Sequence, residues 1–169
     1  MSLSLWLPIV AGVIAVLYGV ITTQRLMAMP QGNAKMQEIA KAIQEGANAY
    51  LNRQYRTIAI VGVLVTVVLA FFFKNWQAPL GFVLGAVLSG AAGFIGMKIS
   101  VQANVRTTEA SSKGLAQGLN VAFLSGAVTG MLVVGLALIG LAGYYVVLTT
   151  GLGLDPTDRT VVDAMVALG

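Results

Sequence analysis

Long apolar runs with almost no ionisable residues constrain this chain more than any other feature. Four runs approach or exceed the length of a membrane span, at about 3–23, 57–73 with its approach, 80–101 and 115–149. A helix needs about 20 residues at 1.5 Å each to cross ~30 Å of hydrocarbon. Charged residues are 9% of the chain and hydrophobic residues 57%, whereas a soluble domain carries roughly a quarter charged residues. The fold class that follows is an all-α integral membrane protein, a transmembrane bundle of four full helices. Its solvent is lipid, in line with a mean hydropathy of +0.86.

The missing residue types exclude chemistry. With no Cys and no His, the chain has no disulfide, no thiolate or imidazole zinc site, no Cys nucleophile and no His acid–base group. A net charge of +4 does not point to nucleic acid, because the basic residues flank the spans. The first run, 3–23, has no basic start and is too long for a secretory signal, so it reads as a retained helix with Pro8 in its first turns.

Basic residues orient the bundle. Arg25, Lys35, Lys41, Arg53 and Arg56 lie between the first two spans, and Lys98, Arg106 and Lys113 lie around 98–113. Lys74 and Arg159 alone fall on the other side. The N-terminus is therefore expected outside and the two basic segments in the cytoplasm. Trp76, Tyr144 and Tyr145 are expected in the outer interfacial belt.

Met29-Pro30-Gln31-Gly32-Asn33 is a turn signal. Beyond it Met36, Ile39, Ala40, Ile43, Ala47, Tyr50 and Leu51 form one apolar helix face. Glu38, Lys41 and Glu45 can pair on the opposite face. No Pro separates this amphipathic stretch, about 34–56, from the second span. One helix over about 34–73, ~60 Å long, is expected to project into the cytoplasm. The alternative is an interfacial helix lying flat, bent at Gly46.

Small residues repeat at four-residue spacing in the third run (Gly81, Gly85, Ser89, Gly93), followed by Gly96 and Ser100, and in the fourth (Ala122, Gly126, Gly130). Such stripes let helices pack closely in lipid. At the end, Asp155-Pro156-Thr157-Asp158 reads as an N-cap with Pro at the first helical position. It opens a fifth apolar helix, about 156–169. That helix is too short to span, so the chain is expected to be part of a longer protein.

No phosphate-binding loop and no metalloprotease motif occurs. Asp155, Asp158 and Asp163 suggest a cation site only superficially, since capping explains the first two and a helix surface the third. Arg53, Arg56, Lys98, Arg106 and Lys113 are expected to anchor the bundle at the headgroups, with Lys98 snorkelling outward. Thr66, Ser89, Ser125, Thr129 and Asn120 can hydrogen-bond within or between helices, but none relays a proton near neutral pH.

Two segments carry a resemblance. They are Ala42-Ile43-Gln44-Glu45-Gly46-Ala47-Asn48-Ala49-Tyr50-Leu51-Asn52-Arg53-Gln54-Tyr55-Arg56 and Gly93-Phe94-Ile95-Gly96-Met97-Lys98-Ile99-Ser100-Val101-Gln102-Ala103-Asn104-Val105-Arg106-Thr107. With Gly126–Met131 and Val133–Leu136, they make the chain similar, along 1–169, to the N-terminal part of the membrane-bound, ion-translocating inorganic pyrophosphatases. The resemblance implies a homodimeric pump with roughly sixteen helices per subunit in two concentric rings. It hydrolyses magnesium pyrophosphate on the cytoplasmic side and exports protons, or sodium in some members. Magnesium is the implied cofactor of the full-length parent, with potassium as a candidate second ion. The implied partners are the bilayer, the remaining helices, a second copy and pyrophosphate, and the implied location is the cell inner (plasma) membrane.

The first four helices would be outer-ring scaffold. The family's Asp- and Lys-rich pyrophosphate motif has no counterpart here, so no catalytic, cofactor-binding or metal-ligating residue is expected. The chain alone is expected neither to hydrolyse pyrophosphate nor to pump. The rival reading is a standalone membrane interaction or assembly protein without enzymatic activity.

Overall fold

The computed structural model describes residues 3–73 and 75–169. Among the described residues there is no strand. The helices are α1 (Leu3–Met27), α2 (Ala34–Phe72), α3 (Gln77–Lys113), α4 (Leu115–Val146) and α5 (Arg159–Leu168), with a π-helical turn at Val147–Gly151 between the last two. Four of these helices are long and apolar enough to cross a membrane. Laterally, α4 packs on α1 and α3, while α2 and α5 pack on α3.

α2 is one unbroken helix through Gly46. Asn33 caps it, its side chain accepting the Met36 N–H at 2.9 Å. Gly32 precedes the cap at φ +75°, where a built Cβ would meet Met36 and Glu109. Only a residue without a side chain enters the helix this way.

The third helix differs from expectation. Its apolar run ends near 101, but the helix continues to Lys113, held late by a Lys113–Glu109 ion pair at 2.8 Å. The turn into α4 is Gly114 alone, at φ +152°. The basic segment around 98–113, expected to follow the third span in the cytoplasm, is therefore a continuation of its helix, because nothing between Lys98 and Lys113 breaks one.

This extension partners the amphipathic stretch of α2. Met36, Ile39, Ala40 and Ile43 face Val101, Asn104, Val105 and Thr108 across a narrow cleft. Leu51 is 2% exposed. The α2 extension therefore has α3 alongside it.

Glycines mark the close crossings. Gly12 of α1 and Gly135 of α4 face each other, and a built Cβ on either would sit 2.8–2.9 Å from the other's carbonyl oxygen. In α3, Gly81 and Gly85 lie against the Ala164 and Leu168 carbonyls of α5, and Gly96 lies against Thr129. The α3 stripe thus receives α5. Gly126 and Gly130 differ, since nothing described lies within 4 Å of a built Cβ there.

Candidate functional site

The two tight turns bring the ends of α1 and α3 and the starts of α2 and α4 to one end of the bundle. Arg25, Lys35, Lys41, Arg106 and Lys113 collect on that side, with Arg53, Arg56 and Lys98 further along α2 and α3. At the opposite end lies Arg159, while Lys74 falls outside the described residues.

Arg106 departs from the headgroup-anchor expectation. It is 6% exposed, beside the packed cluster of Leu26, Ala103 and Val121. One terminal nitrogen donates to the Gln102 carbonyl at 2.7 Å and the other to the Met27 carbonyl at 2.8 Å. Met27 is the last residue of α1. Its carbonyl is one of the acceptors a helix end leaves without an internal partner, and the negative end of the helix dipole lies there. The guanidinium therefore joins the C-terminus of α1 to α3. Its Nε is buried without a partner among the described residues. Sequence reasoning grouped Arg106 with the exposed cations, and local periodicity could not have separated it, because its partner is 79 residues away.

The other basic residues are solvent- or lipid-facing. Lys35 pairs with Glu38 at 2.9 Å, both well exposed. Arg53, Arg56 and Lys98 are exposed and have no ion-pair partner among the described residues.

The acidic residues at the far end are each engaged locally. Asp155 accepts from the Thr157 N–H at 2.8 Å and the Thr157 hydroxyl at 2.6 Å. The hydroxyl bond and then the backbone bond hold its carboxyl below the usual carboxylate range. Asp158, not Asp155, caps α5, accepting from the Thr160 N–H at 2.7 Å. The helix accordingly starts at Arg159 rather than near 156, because the Asp155–Thr157 turn occupies the preceding residues. Asp163 lies 3.8 Å from Arg159. Among the described residues no three metal-ligating side chains converge.

Tyr144 also departs from expectation. It is buried at 6% exposure within a cluster with Leu148, Val161 and Ala164. Its hydroxyl donates to the Gln77 carbonyl at 2.6 Å, tying α4 to the start of α3. A buried ring with its hydroxyl satisfied by protein does not serve the headgroup belt. Tyr144→Phe should destabilise the protein by about 1 kcal/mol, the net worth of one such bond. Thermal unfolding in detergent would show it, and an unchanged midpoint would mean that water or lipid replaces the bond at no cost.

Residues 13–169 match the family described as "Inorganic H+ pyrophosphatase". A K(+)-insensitive pyrophosphate-energized proton pump of Methanosarcina mazei is 45% identical over 137 residues, which cover 80% of this chain and 20% of that protein. A protein of the same description from Chloroflexus aurantiacus is 38% identical over 161 residues, covering 82% and 21%. A Bacteroides thetaiotaomicron protein, named provisionally as a K(+)-stimulated pyrophosphate-energized sodium pump, is 35% identical over 164 residues, covering 94% and 22%. The chain thus spans about a fifth of the length of these relatives. A family match over nearly the whole chain, on a bundle with four membrane-capable helices, makes this chain a member of the inorganic H+ pyrophosphatase family.

Proposed function

We propose that the protein carrying this chain couples hydrolysis of inorganic pyrophosphate to ion transfer across the membrane, with residues 1–169 forming part of its lipid-facing scaffold. The observation that carries the reading is the family match over 13–169, together with relatives named for pyrophosphate-energized pumping. Proton transfer is the favoured coupling, since three relatives are named as proton pumps, all K(+)-insensitive; a potassium effect on the whole protein would go with the sodium coupling named for the K(+)-stimulated relatives.

Magnesium as the pyrophosphate counter-ion finds no converging set of three carboxylates among the described residues of this chain. Asp155, Asp158 and Asp163 are taken by Thr157, Thr160 and Arg159, so no step of the reaction is assigned to them. A pyrophosphate site would draw its metal ligands from elsewhere in the whole protein. What this chain's residues do is hold helices in register. Arg106 joins α1 to α3, Tyr144 joins α4 to α3, and the glycine crossings bring backbones together.

The concentration of Lys and Arg at one end supports an orientation with that end in the cytoplasm and the N-terminus outside. The plasma membrane of the cell is the proposed location. A second copy is the proposed partner in a homodimer.

The test compares two proteins in sealed vesicles. The whole protein should release phosphate from magnesium pyrophosphate and acidify the lumen. The purified 169-residue chain should release none above a protein-free control. Phosphate release by the short chain would overturn its assignment as scaffold, and a whole protein inert toward pyrophosphate would overturn the pump.

A further inference from the structure

We propose that the cleft between the apolar half of α2 and the facing half of α3 binds one anionic phospholipid, its phosphate held by Arg56 and Lys98. This rests on the chain's membrane-spanning character and is independent of the pump reading.

The cleft has a volume of about 940 Å³, at the upper end of the ~300–1,000 Å³ typical of small-molecule sites. It starts where Tyr55 of α2 meets Phe94 of α3 edge to face, ring centroids 5.2 Å apart. Along α3 it runs from Phe82 to Ile95, about 20 Å, and along α2 from Tyr55 to Thr66, about 16 Å at 1.5 Å per residue. That is close to the ~15 Å of hydrocarbon in one leaflet, half of ~30 Å. An acyl chain of a single leaflet fits this depth. A spanning helix would need about twice it.

The walls offer little that is polar. The two threonine hydroxyls on the α2 side are satisfied within their own helix: Thr57 donates to the Arg53 carbonyl at 3.1 Å and Thr66 to the Gly62 carbonyl at 2.8 Å. The third hydroxyl, of Tyr55, lies at the charged end beside Gly93.

Charge gives the cleft a direction. On α2, Ala59 and Val63 line the wall. Arg56 stands three and seven residues before them, on the same helical stripe. On α3, Val87, Ala91 and Ile95 line the wall, and Lys98 continues their stripe beyond Ile95. Both walls therefore run, at the Tyr55–Phe94 end, into an exposed cation with no ion-pair partner among the described residues. No charged residue lines the cleft itself. An apolar slot one leaflet deep with two cations at one end complements an anionic phospholipid, and a neutral acyl chain or an apolar helix would leave that charge unused.

Native mass spectrometry of the whole protein, released from mixed vesicles of phosphatidylglycerol and phosphatidylcholine, tests this. Phosphatidylglycerol should be retained preferentially. Arg56→Gln with Lys98→Gln should reduce that preference about thirty-fold, on the general scale for two basic residues at an anionic surface. Arg56→Lys should keep most of it. Val87→Trp, which fills the cleft, should lower retention of both lipids. Because the first two substitutions are exposed, the fold is not at risk, and the lipid preference of the unaltered protein is decisive by itself. Equal retention of the two lipids by the unaltered protein would overturn the proposal. So would displacement of the bound lipid by excess free phosphate. A Val87→Cys protein whose thiol crosslinks to another protein segment, within one copy or between two, would assign the cleft to protein and overturn it as well.

Discussion

Gly135→Leu should separate α1 from α4 and be among the most damaging single changes in the chain. A Cβ at Gly135 would sit 2.9 Å from the Gly12 carbonyl oxygen and 2.9 Å from a methyl of Val16, and one at Gly12 would sit 2.8 Å from the Gly135 carbonyl oxygen. The Gly12 oxygen is backbone, and the other obstructing atoms, the Val16 methyl and the Ala15 Cβ, belong to short, stiff side chains that cannot swing aside, so the helices themselves must move. Overpacking of this kind costs about 1–3 kcal/mol, occasionally more. In lipid that loss is not cushioned by a hydrophobic force between helices, since association depends on close packing. Gly135→Ala should already destabilise. Gly46→Ala is the control. It lies in α2 with nothing within 4 Å, so the better helix propensity of Ala should make it neutral or stabilising by up to ~1 kcal/mol. Unfolding in a denaturing detergent titration separates the cases. If Gly135→Leu and Gly46→Ala unfold alike, the Gly12–Gly135 crossing does not hold the bundle together.

This pair shows where sequence reading stopped. Membrane character was legible because it is a property of composition along each run, as was the single α2 helix, where periodicity continues without a breaker. The small-residue stripe on α3 was also legible as a packing device, and Gly81 and Gly85 do receive α5. What could not be read was which stripe meets which. Gly126 and Gly130 have the same spacing as Gly81 and Gly85 but meet nothing described, while Gly12 and Gly135 belong to no conspicuous stripe and form the tight α1–α4 crossing. Spacing along one helix says that a backbone can be approached. It does not say by what. The same limit applied to Arg106 and Tyr144. Both were placed at the membrane surface from residue type and position, and both are buried by a partner distant in sequence. The extension of α3 to Lys113 was missed for a different reason. Hydropathy marks where a helix leaves hydrocarbon, not where it ends, and the end is set by Gly114.

Arg106→Ala should loosen the basic end of the bundle by about 3 kcal/mol. The guanidinium's bond to the Met27 carbonyl, 2.8 Å long, is charge-assisted, and such bonds contribute about 1.5–3 kcal/mol. Removing the side chain also strips its stem from the cluster around Leu26 and Ala103. A countervailing effect decides the sign of the more conservative changes. No carboxylate pairs with Arg106 among the described residues, so its burial carries a desolvation cost that a neutral substitute avoids. Arg106→Met should therefore lose less than Arg106→Ala, since it keeps volume and sheds the charge, while still leaving the end of α1 without its donor. Arg106→Lys keeps the charge but replaces a rigid two-pronged donor by a single flexible one. It cannot reach the Gln102 and Met27 carbonyls with the same geometry. The expected order of stability is wild type, then Met and Lys, then Ala. Hydrogen exchange at the last turn of α1 and at the start of α2 gives the local readout, because those amides depend on the α1 terminus staying docked. If Arg106→Met protects them as well as the natural residue does, the electrostatic clasp contributes nothing and Arg106 acts only through its stem.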